Sequence, residues 1–308
     1  MASHGFDKMA DAASYDPVAG DYDRYVMQLS EPLAVQICRL AAVAPGQRVL
    51  DVGTGSGVAA DCAARLVGVG GYVLGVDLSE GMIRTATATK TAKRAGCATP
   101  KFLVMDAEEL DLPDRSFDAI ISLCAVLHFP NIAKALSEMY RVLKPGGRLV
   151  VSFGYPRPVA SLPFLCHAVR QVARRVLQPF KPVMKAPEDL IRLVRRSGIE
   201  LHPETVETAW SRQGDTKARL FGEIAEAGFT DVAASWSGHE VRFLSPESFW
   251  DAQMAIVTIV RHALADVSFR ACNTLREEFL TQARKTLKAG GTLVYPYGAF
   301  FVSGKRET

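Results

Sequence analysis

The residues best suited to chemistry follow a short apolar run in the first half of the chain. In Arg48-Val-Leu-Asp-Val-Gly-Thr-Gly-Ser-Gly57, Asp51 precedes three glycines at alternate positions. Glycines let the backbone turn tightly and approach a ligand, because no Cβ intervenes. A carboxylate beside such a turn suits a positively charged ligand, whereas a dinucleotide would bring a pyrophosphate to this helix N-terminus. The dinucleotide fingerprint also places its third glycine one residue later, where this chain has Val58.

Two more acids end the apolar runs that follow. Asp77 closes Gly71-Tyr-Val-Leu-Gly-Val-Asp77, at the distance from a glycine turn where an acid typically bonds a ribose hydroxyl pair. Alternatively, Asp77 caps the helix predicted from about Ser79 to Arg94, although Ser79 can fill that role itself. Asp106 ends the run that begins at Lys101, and its carboxylate could accept a hydrogen bond from an adenine amine.

Alternating strands and helices must bring these acids together. The pattern from Arg48 to Ser152 predicts a mostly parallel sheet with helices on both faces. Its fourth strand is Ser116–Leu123, and Pro-Gly-Gly after Leu143 is expected to stop a helix and start the fifth. Ligands bind at the carboxyl ends of such strands. Further along, a helix is predicted over about 216–227, strands over 232–243 and 291–303, and a long helical segment over about 245–287.

These segments together resemble the class I S-adenosylmethionine-dependent methyltransferases, in particular the small-molecule, ubiquinone/menaquinone-type (methyltransferase type 11) branch. The resemblance runs through roughly residues 45–153. It implies a Rossmann-like sheet of seven strands, the last antiparallel between the fifth and sixth, with S-adenosylmethionine as cofactor. The residues that it implies for cofactor binding are Asp51, Gly53, Thr54, Gly55, Gly57, Asp77, Leu78, Met82, Asp106, Ala107, Glu108, Leu123, Cys124 and Tyr22.

The resemblance also predicts how the chain is divided. Residues 1–44 are expected to form an N-terminal helical lid, 45–153 the cofactor-binding core and 154–210 a helical insertion that covers the substrate. Residues 211–308 complete the core with strands six and seven and a helical substrate-side segment. Tyr15 and Tyr25 lie where this branch carries a helix that closes over the cofactor, so we predict that both contact the substrate.

The predicted insertion is basic. Between Arg157 and Arg196 it has nine Lys or Arg residues and two acids. Three interpretations stay open: a solvated lid face, recognition of an anionic acceptor with Arg170 and Arg174 as contacts, or docking on an anionic membrane surface. Apolar residues in the insertion and the C-terminal helical segment favour an aromatic, quinone-like, isoprenoid or other natural-product acceptor. These residues are Phe164, Phe180, Phe243, Phe249, Trp250, Met254 and Ile256.

His128 is the candidate catalytic base, because a protonated acceptor would have to lose its proton during methyl transfer. Members of this branch often carry His-His here, but the preceding residue is Leu127. His128 could instead shape the pocket, contact the substrate or cap the next helix. Cys124 is interpreted as a packing or cofactor contact and not as a nucleophile. The chain has Ser122-Leu-Cys-Ala125 in place of an Asn-Pro-Pro-Tyr type sequence, which argues against methylation of amides.

Composition excludes other classes. A net charge of +3 over 308 residues is too small to indicate nucleic-acid binding. The six cysteines lack metal-ligand spacing, so we expect no metal and a reducing, cytoplasmic location. No apolar leader or spanning segment is evident, and the expected partner is a small-molecule acceptor, with the chain a monomer or homodimer. A non-methylating enzyme of the cyclase or decarboxylase type, or a catalytically silent cofactor-binding subunit, remains as an alternative function.

Overall fold

The computed structural model describes residues 8–92, 94–154, 181–201, 215–265 and 267–308. They divide into two compact units. Among the described residues, the first unit comprises 8–154, 215–237 and 299–308, and the second comprises 181–201 and 238–298. Arg170, Arg174, Phe164 and Phe180 lie outside the described residues.

The helices and strands alternate through the first half of the chain. Their order is α1 (Lys8–Ser14), a 3-10 turn (Asp16–Val18), α2 (Ala19–Leu40), β1 (Arg48–Val52), α3 (Val58–Val67), β2 (Tyr72–Asp77), α4 (Glu80–Lys90), β3 (Lys101–Val104), β4 (Phe117–Ser122), a 3-10 turn (Val126–His128), α5 (Ile132–Val142) and β5 (Leu143–Gly154). The remainder contains β6 (Val183–Lys185), α6 (Glu188–Arg196), α7 (Thr216–Glu226), β7 (Thr230–Phe243), α8 (Pro246–Ile256), α9 (Thr258–Ala265), α10 (Phe269–Lys288) and β8 (Thr292–Lys305).

The sheet of the first unit has the expected Rossmann-like arrangement. β1 lies between β2 and β4, β3 extends the sheet beyond β2, and β5 extends it beyond β4, all in parallel. β8 then pairs antiparallel with β5, from Arg148 opposite Lys305 to Gly154 opposite Ala299, and also pairs with β7. The predicted fold class is therefore confirmed, including the reversed last strand. β1 and β2 read as near-continuous apolar runs because they are buried on both faces.

Two boundaries differ from the prediction. α4 ends at Lys90 and not near Arg94, whose guanidinium instead donates to both carboxylate oxygens of Asp61 at 2.8 and 3.1 Å. α5 ends at Val142, and the Pro-Gly-Gly sequence falls within β5, which begins at Leu143. The ladder between β4 and β5 shifts register there, which lets the glycines continue the strand.

The second unit supplies a strand that sequence analysis did not anticipate. β6 pairs in parallel with Thr292–Val294 of β8, and the described residues thus contain eight strands. Three residues are too few to display the alternation by which strands are recognised. The long C-terminal helical segment is helical as predicted but is interrupted into α8, α9 and α10.

An aromatic cluster forms the core of the second unit. Phe249 packs against Phe243 and Phe279 with ring centroids 5.4 and 5.6 Å apart, and Trp250 lies 5.3 Å from Phe279. All four side chains are buried. Three of these residues were singled out above as apolar surroundings for an acceptor, and their burial here accounts for them as packing.

A buried ion pair joins helix α2 to helix α4. Lys90 Nζ lies 2.7 Å from Asp23 Oδ1, and the two side chains are only 5% and 14% exposed. The Lys90 stem also lies beside Gly57, where an added Cβ would approach Lys90 Cγ to 3.2 Å. The pair thus fixes α2 against the helix that follows β2.

We predict that Asp23→Asn lowers the free energy of unfolding by about 3 kcal/mol, because it leaves a buried ammonium without its counter-charge. Urea denaturation would measure the loss. Glu31→Gln on the same helix is the matched control, since the Glu31–Arg65 pair is largely exposed and should contribute little. Equal effects of the two substitutions would contradict this account.

Candidate active site

The turn after β1 is built from glycines with positive φ. Gly53, Gly55 and Gly57 have φ of 70°, 54° and 86°. A Cβ on Gly53 would collide with Ala125, and one on Gly57 would come within 2.8 Å of the Phe102 ring. A Cβ on Gly55 would meet nothing within 4 Å. The outer glycines are therefore required by packing, whereas the middle one borders open space that a ligand could fill.

Asp51 is buried near the end of β1, and one of its two carboxylate oxygens accepts no hydrogen bond from the described residues. Thr54 Oγ1 donates to Asp51 Oδ2 at 2.6 Å, while Oδ1 is buried and has no hydrogen-bond partner among the described residues. Burial raises the pKa of Asp51 to about 7, and the charge of Asp77 adds to this rise, although the Thr54 hydroxyl and the Ala60 amide lower the pKa. A buried carboxylate oxygen of this kind favours a cationic ligand. The ammonium group of S-adenosylmethionine fits that requirement.

Asp77 lies beside the turn, at the end of β2. The amide of Gly55 donates to Asp77 Oδ2 at 2.8 Å, and the amide of Ser79 donates to Oδ1 at 3.0 Å. Burial raises the pKa of Asp77, although these amide donors and the nearby charge of His128 act in the opposite direction. Ser79 itself caps α4, since its hydroxyl accepts from the Met82 amide at 3.1 Å. The cap is thus Ser79, and Asp77 holds the glycine turn with lone pairs left for a ligand hydroxyl.

A pair of acids, Asp106 and Glu108, follows β3 and contacts helix α1. Lys8 Nζ lies 2.6 Å from Asp106 Oδ2 and 3.2 Å from Glu108 Oε2. Burial is the largest single influence and opposes ionisation of Asp106. The Lys8 hydrogen bond, the Glu108 amide and the charges of Lys8 and Lys134 together outweigh it, so the pKa of Asp106 lies below its usual range. The amide of Asn131 donates to Glu108 Oε1 at 2.9 Å. Sequence analysis missed Lys8, because one lysine in a terminal helix carries no recognisable pattern.

The other residues predicted for the cofactor lie at the same strand ends or on the N-terminal segment, residues 8–40. Met82 and Ala107 are buried, whereas Leu78 and Leu123 are half-buried. Cys124 follows β4 in the left-handed region, with φ of 56°, and its amide donates to Ser152 Oγ at 3.0 Å. That geometry makes Cys124 a turn residue between strand and helix. Tyr22 lies on α2 and is described next.

Aromatic rings from the N-terminal segment meet His128. Tyr15 packs edge-on against Tyr22 and against the His128 imidazole, with centroids 6.0 and 6.2 Å apart. Tyr25 is buried on the inner side of α2. His128 Nδ1 lies 3.5 Å from Asp11 Oδ2. His128 does not cap α5, since Asn131 Oδ1 accepts the hydrogen bond from the Lys134 amide at 3.0 Å.

The parts of the chain that the structure describes also bear on a metal site, a membrane span and the basic insertion. No three or more His, Cys, Asp or Glu side chains in those parts are grouped as a metal ion would require. None of the helices described there combines the length and apolar character needed to cross a membrane. Of the basic insertion, the described arginines of α6 are exposed, and Arg192 pairs with Asp189 at 2.8 Å.

Comparison with known proteins bears directly on this arrangement. The profile of the methyltransferase domain family matches residues 50–151. An aklanonic acid methyltransferase of Streptomyces sp. (strain C5) is 31% identical over 215 residues, which cover 70% of this chain and 94% of that protein. A ubiquinone/menaquinone biosynthesis C-methyltransferase of Marinomonas sp. (strain MWYL1) is 33% identical, covering 53% of this chain and 63% of that protein.

A solved structure shares the fold. The YcgJ protein of Bacillus subtilis superposes with a TM-score of 0.50 and 19% sequence identity, covering 91% of this chain and 98% of that one. At this identity the likeness concerns the fold alone, and it agrees with the sheet order described above.

We predict that Asp77→Ala weakens S-adenosylmethionine binding by about 1–3 kcal/mol, the scale of removing one partner of a charged hydrogen bond. Gly55→Val should be more severe, because its side chain would enter the open space beside the turn. Gly46→Val is the matched control for backbone strain, since Gly46 has φ of 81° and equally open surroundings away from this turn. Titration calorimetry decides, and unchanged affinity in both site variants would contradict the assignment.

Cofactor affinity should also depend on pH through Asp51. Its pKa is raised to about 7 in the free protein, so below that pH an ammonium ligand must displace a proton. Affinity should then fall by up to about tenfold per pH unit on acidification. Calorimetry at about pH 6 in buffers with different ionisation heats should show proton release, which Asp51→Asn abolishes. Wild-type affinity that does not change with pH would refute the pairing.

Proposed function

Because the chain belongs to the family of S-adenosylmethionine-dependent methyltransferases, we propose that it methylates a small aromatic or quinone-like acceptor. The observation that carries this choice is the group of rings formed by Tyr15, Tyr22 and His128 beside the carboxyl ends of the strands. Aromatic side chains offer large apolar surfaces and pair well with other aromatic rings, so this group suits a flat aromatic molecule. The two relatives are named for aklanonic acid methylation and for ubiquinone/menaquinone biosynthesis, and these names support the same class of acceptor.

Three acids are proposed to hold the cofactor. Asp51 would bind the ammonium group through its buried Oδ1, which lacks a partner among the described residues. Asp77 would bind the ribose hydroxyls while it retains the turn amide of Gly55. Asp106 would accept from the adenine amine, a contact for which Lys8 competes in this structure. When bound, S-adenosylmethionine supplies an already activated methyl group.

The protein's own contribution is then alignment, exclusion of water and removal of one proton. Tyr15 and Tyr22 belong to the N-terminal segment, and their rings would cover the acceptor. A phenolic or enolic acceptor must lose a proton to become a strong nucleophile. An unperturbed imidazole has a pKa of about 6.5 and can act as a base near pH 7, and we propose that His128 takes this proton.

The experiment that tests this function follows the cofactor methyl group. Purified protein is incubated with methyl-labelled S-adenosylmethionine and a panel of acceptors, including aklanonic acid and a demethylated menaquinol, and products are identified by mass spectrometry. Label in a product supports the proposal. Conversion of an acceptor without label would favour the cyclase or decarboxylase class. Cofactor binding with no conversion in the panel or in a lipophilic metabolite extract would favour a silent subunit.

We predict that His128→Ala lowers kcat by about 10²–10⁴, the usual contribution of a general base, while cofactor affinity is retained. Raising the pH should partly restore the rate, because the acceptor then ionises without help. Steady-state kinetics across pH with an acceptor from the panel would measure both effects. A loss below about tenfold with no rescue at high pH would mean that alignment alone carries the catalysis.

A further inference from the structure

We infer that Asp11, on the N-terminal helix α1, is a positioning residue that orients the His128 imidazole for proton removal. This inference rests on the proposed role of His128 as the base. Asp11 Oδ2 lies 3.5 Å from His128 Nδ1, and the Asp11 side chain is only 11% exposed. A carboxylate at Nδ1 selects the tautomer whose proton is on that nitrogen and whose lone pair is on Nε2.

The contact is longer than a fully formed hydrogen bond of about 2.7–3.2 Å. Catalytic hydrogen bonds are often long in ligand-free enzymes and shorten when substrate binds. A partly buried carboxylate is also screened less than a surface one, so it acts on the imidazole at this distance. The geometry therefore describes a pair that is aligned and ready to tighten.

α1 is held on both sides of Asp11 by other polar contacts. Before it, Lys8 pairs with Asp106 and Glu108 at the end of β3. After it, Asp16 Oδ1 accepts from Ser79 Oγ at 2.7 Å and from the Gly81 amide at 2.9 Å, at the start of α4. These contacts hold the backbone of α1 in place, which leaves the Asp11 carboxylate to act on His128.

The charge around His128 suits a base that becomes an imidazolium. Among the described residues, titratable groups face it from Asp11 of α1, Asp77 at the end of β2 and Tyr15 in the segment after α1. In the transfer step, the acceptor proton moves to Nε2 as the acceptor electron pair bonds the methyl carbon. The electrons of the broken carbon–sulfur bond stay on sulfur, leaving S-adenosylhomocysteine. Asp11 then faces the Nδ1 proton of a cation, the state that a carboxylate stabilises most.

Nitrogen NMR of the full-length protein tests this without an acceptor. The His128 ring signals are assigned by their loss in His128→Gln, and their shifts report the tautomer and the titration midpoint. Wild type should show the Nδ1-protonated tautomer. Asp11→Asn, which keeps an acceptor oxygen but no charge, should keep the tautomer and lower the midpoint by about half a pH unit or more. Asp11→Ala should change both.

Two control variants separate this role from simple docking of the segment. Asp21→Asn removes an exposed acid of α2 and should leave the His128 signals as in wild type. Lys8→Gln removes one of the two anchors and leaves the contacts of Asp16 with Ser79 and Gly81, so it should alter cofactor affinity but not the His128 tautomer. Tautomer and midpoint unchanged in Asp11→Ala, or changed equally by Lys8→Gln, would overturn the inference.

A kinetic arm distinguishes failure of this inference from failure of the proposed function. With a methylated acceptor from the panel, Asp11→Ala should lower kcat about tenfold or more with KM for S-adenosylmethionine nearly unchanged, and should have no further effect in a His128→Ala background. Independent, additive losses would overturn the inference. If the panel and extract give no labelled product, the proposed function fails, while the NMR result still decides whether Asp11 orients His128.

Discussion

The site depends on the need to satisfy two carboxylates at the ends of adjacent strands, Asp51, which is buried, and Asp77, which is half-buried. Ionised groups removed from water are costly unless donors reach them. Thr54 donates its hydroxyl to Asp51, and the amide of Gly55 donates to Asp77. Both donors come from the same turn, so the acids fix the turn as much as the turn surrounds the acids. Three positive φ angles are required for this path, and glycine supplies them at little cost. One carboxylate oxygen remains without a partner among the described residues, and that remaining demand makes the turn a candidate ligand site.

The N-terminal segment joins the first unit by a different kind of interaction. Its described residues, 8–40, add no strand to the sheet. Their polar contacts reach the residues that follow β2, β3 and β4 through Asp16, Lys8 and Asp11. Partly exposed ion pairs such as that of Lys8, whose side chain is 34% exposed, contribute little to stability. They can therefore be exchanged for ligand contacts at small cost. The buried pair of Lys90 with Asp23 lies deeper in the same unit and keeps α2 attached when the earlier contacts exchange.

The strands and turns between Arg48 and Gly154 could be predicted well from the sequence, because they follow local rules. The glycine turn and the acids after each strand have recognisable spacing, and the structure places those acids together at the carboxyl ends. The reversed last strand was implied by the family resemblance. The partners of those acids were not predictable. Lys8 and Asp11 lie about 100 residues from the groups that they contact, and no local pattern encodes such pairs. β6 was missed because three residues show no period, and the aromatic residues of the second unit were ambiguous because core and binding site use the same side chains.

Methyl transfer requires little of a protein beyond alignment of the acceptor and exclusion of water, because the cofactor brings an already activated methyl group. A permanently oriented base would nevertheless bring a risk, since an open site allows water to take or return the proton. Placing Asp11 on the segment that also carries Tyr15 and Tyr22 links the two requirements. The rings that would exclude water and the carboxylate that would orient His128 occupy their places together. On the proposed function, closure over the acceptor and deprotonation would then be one event, and the base would gain its full orientation only when the acceptor is covered.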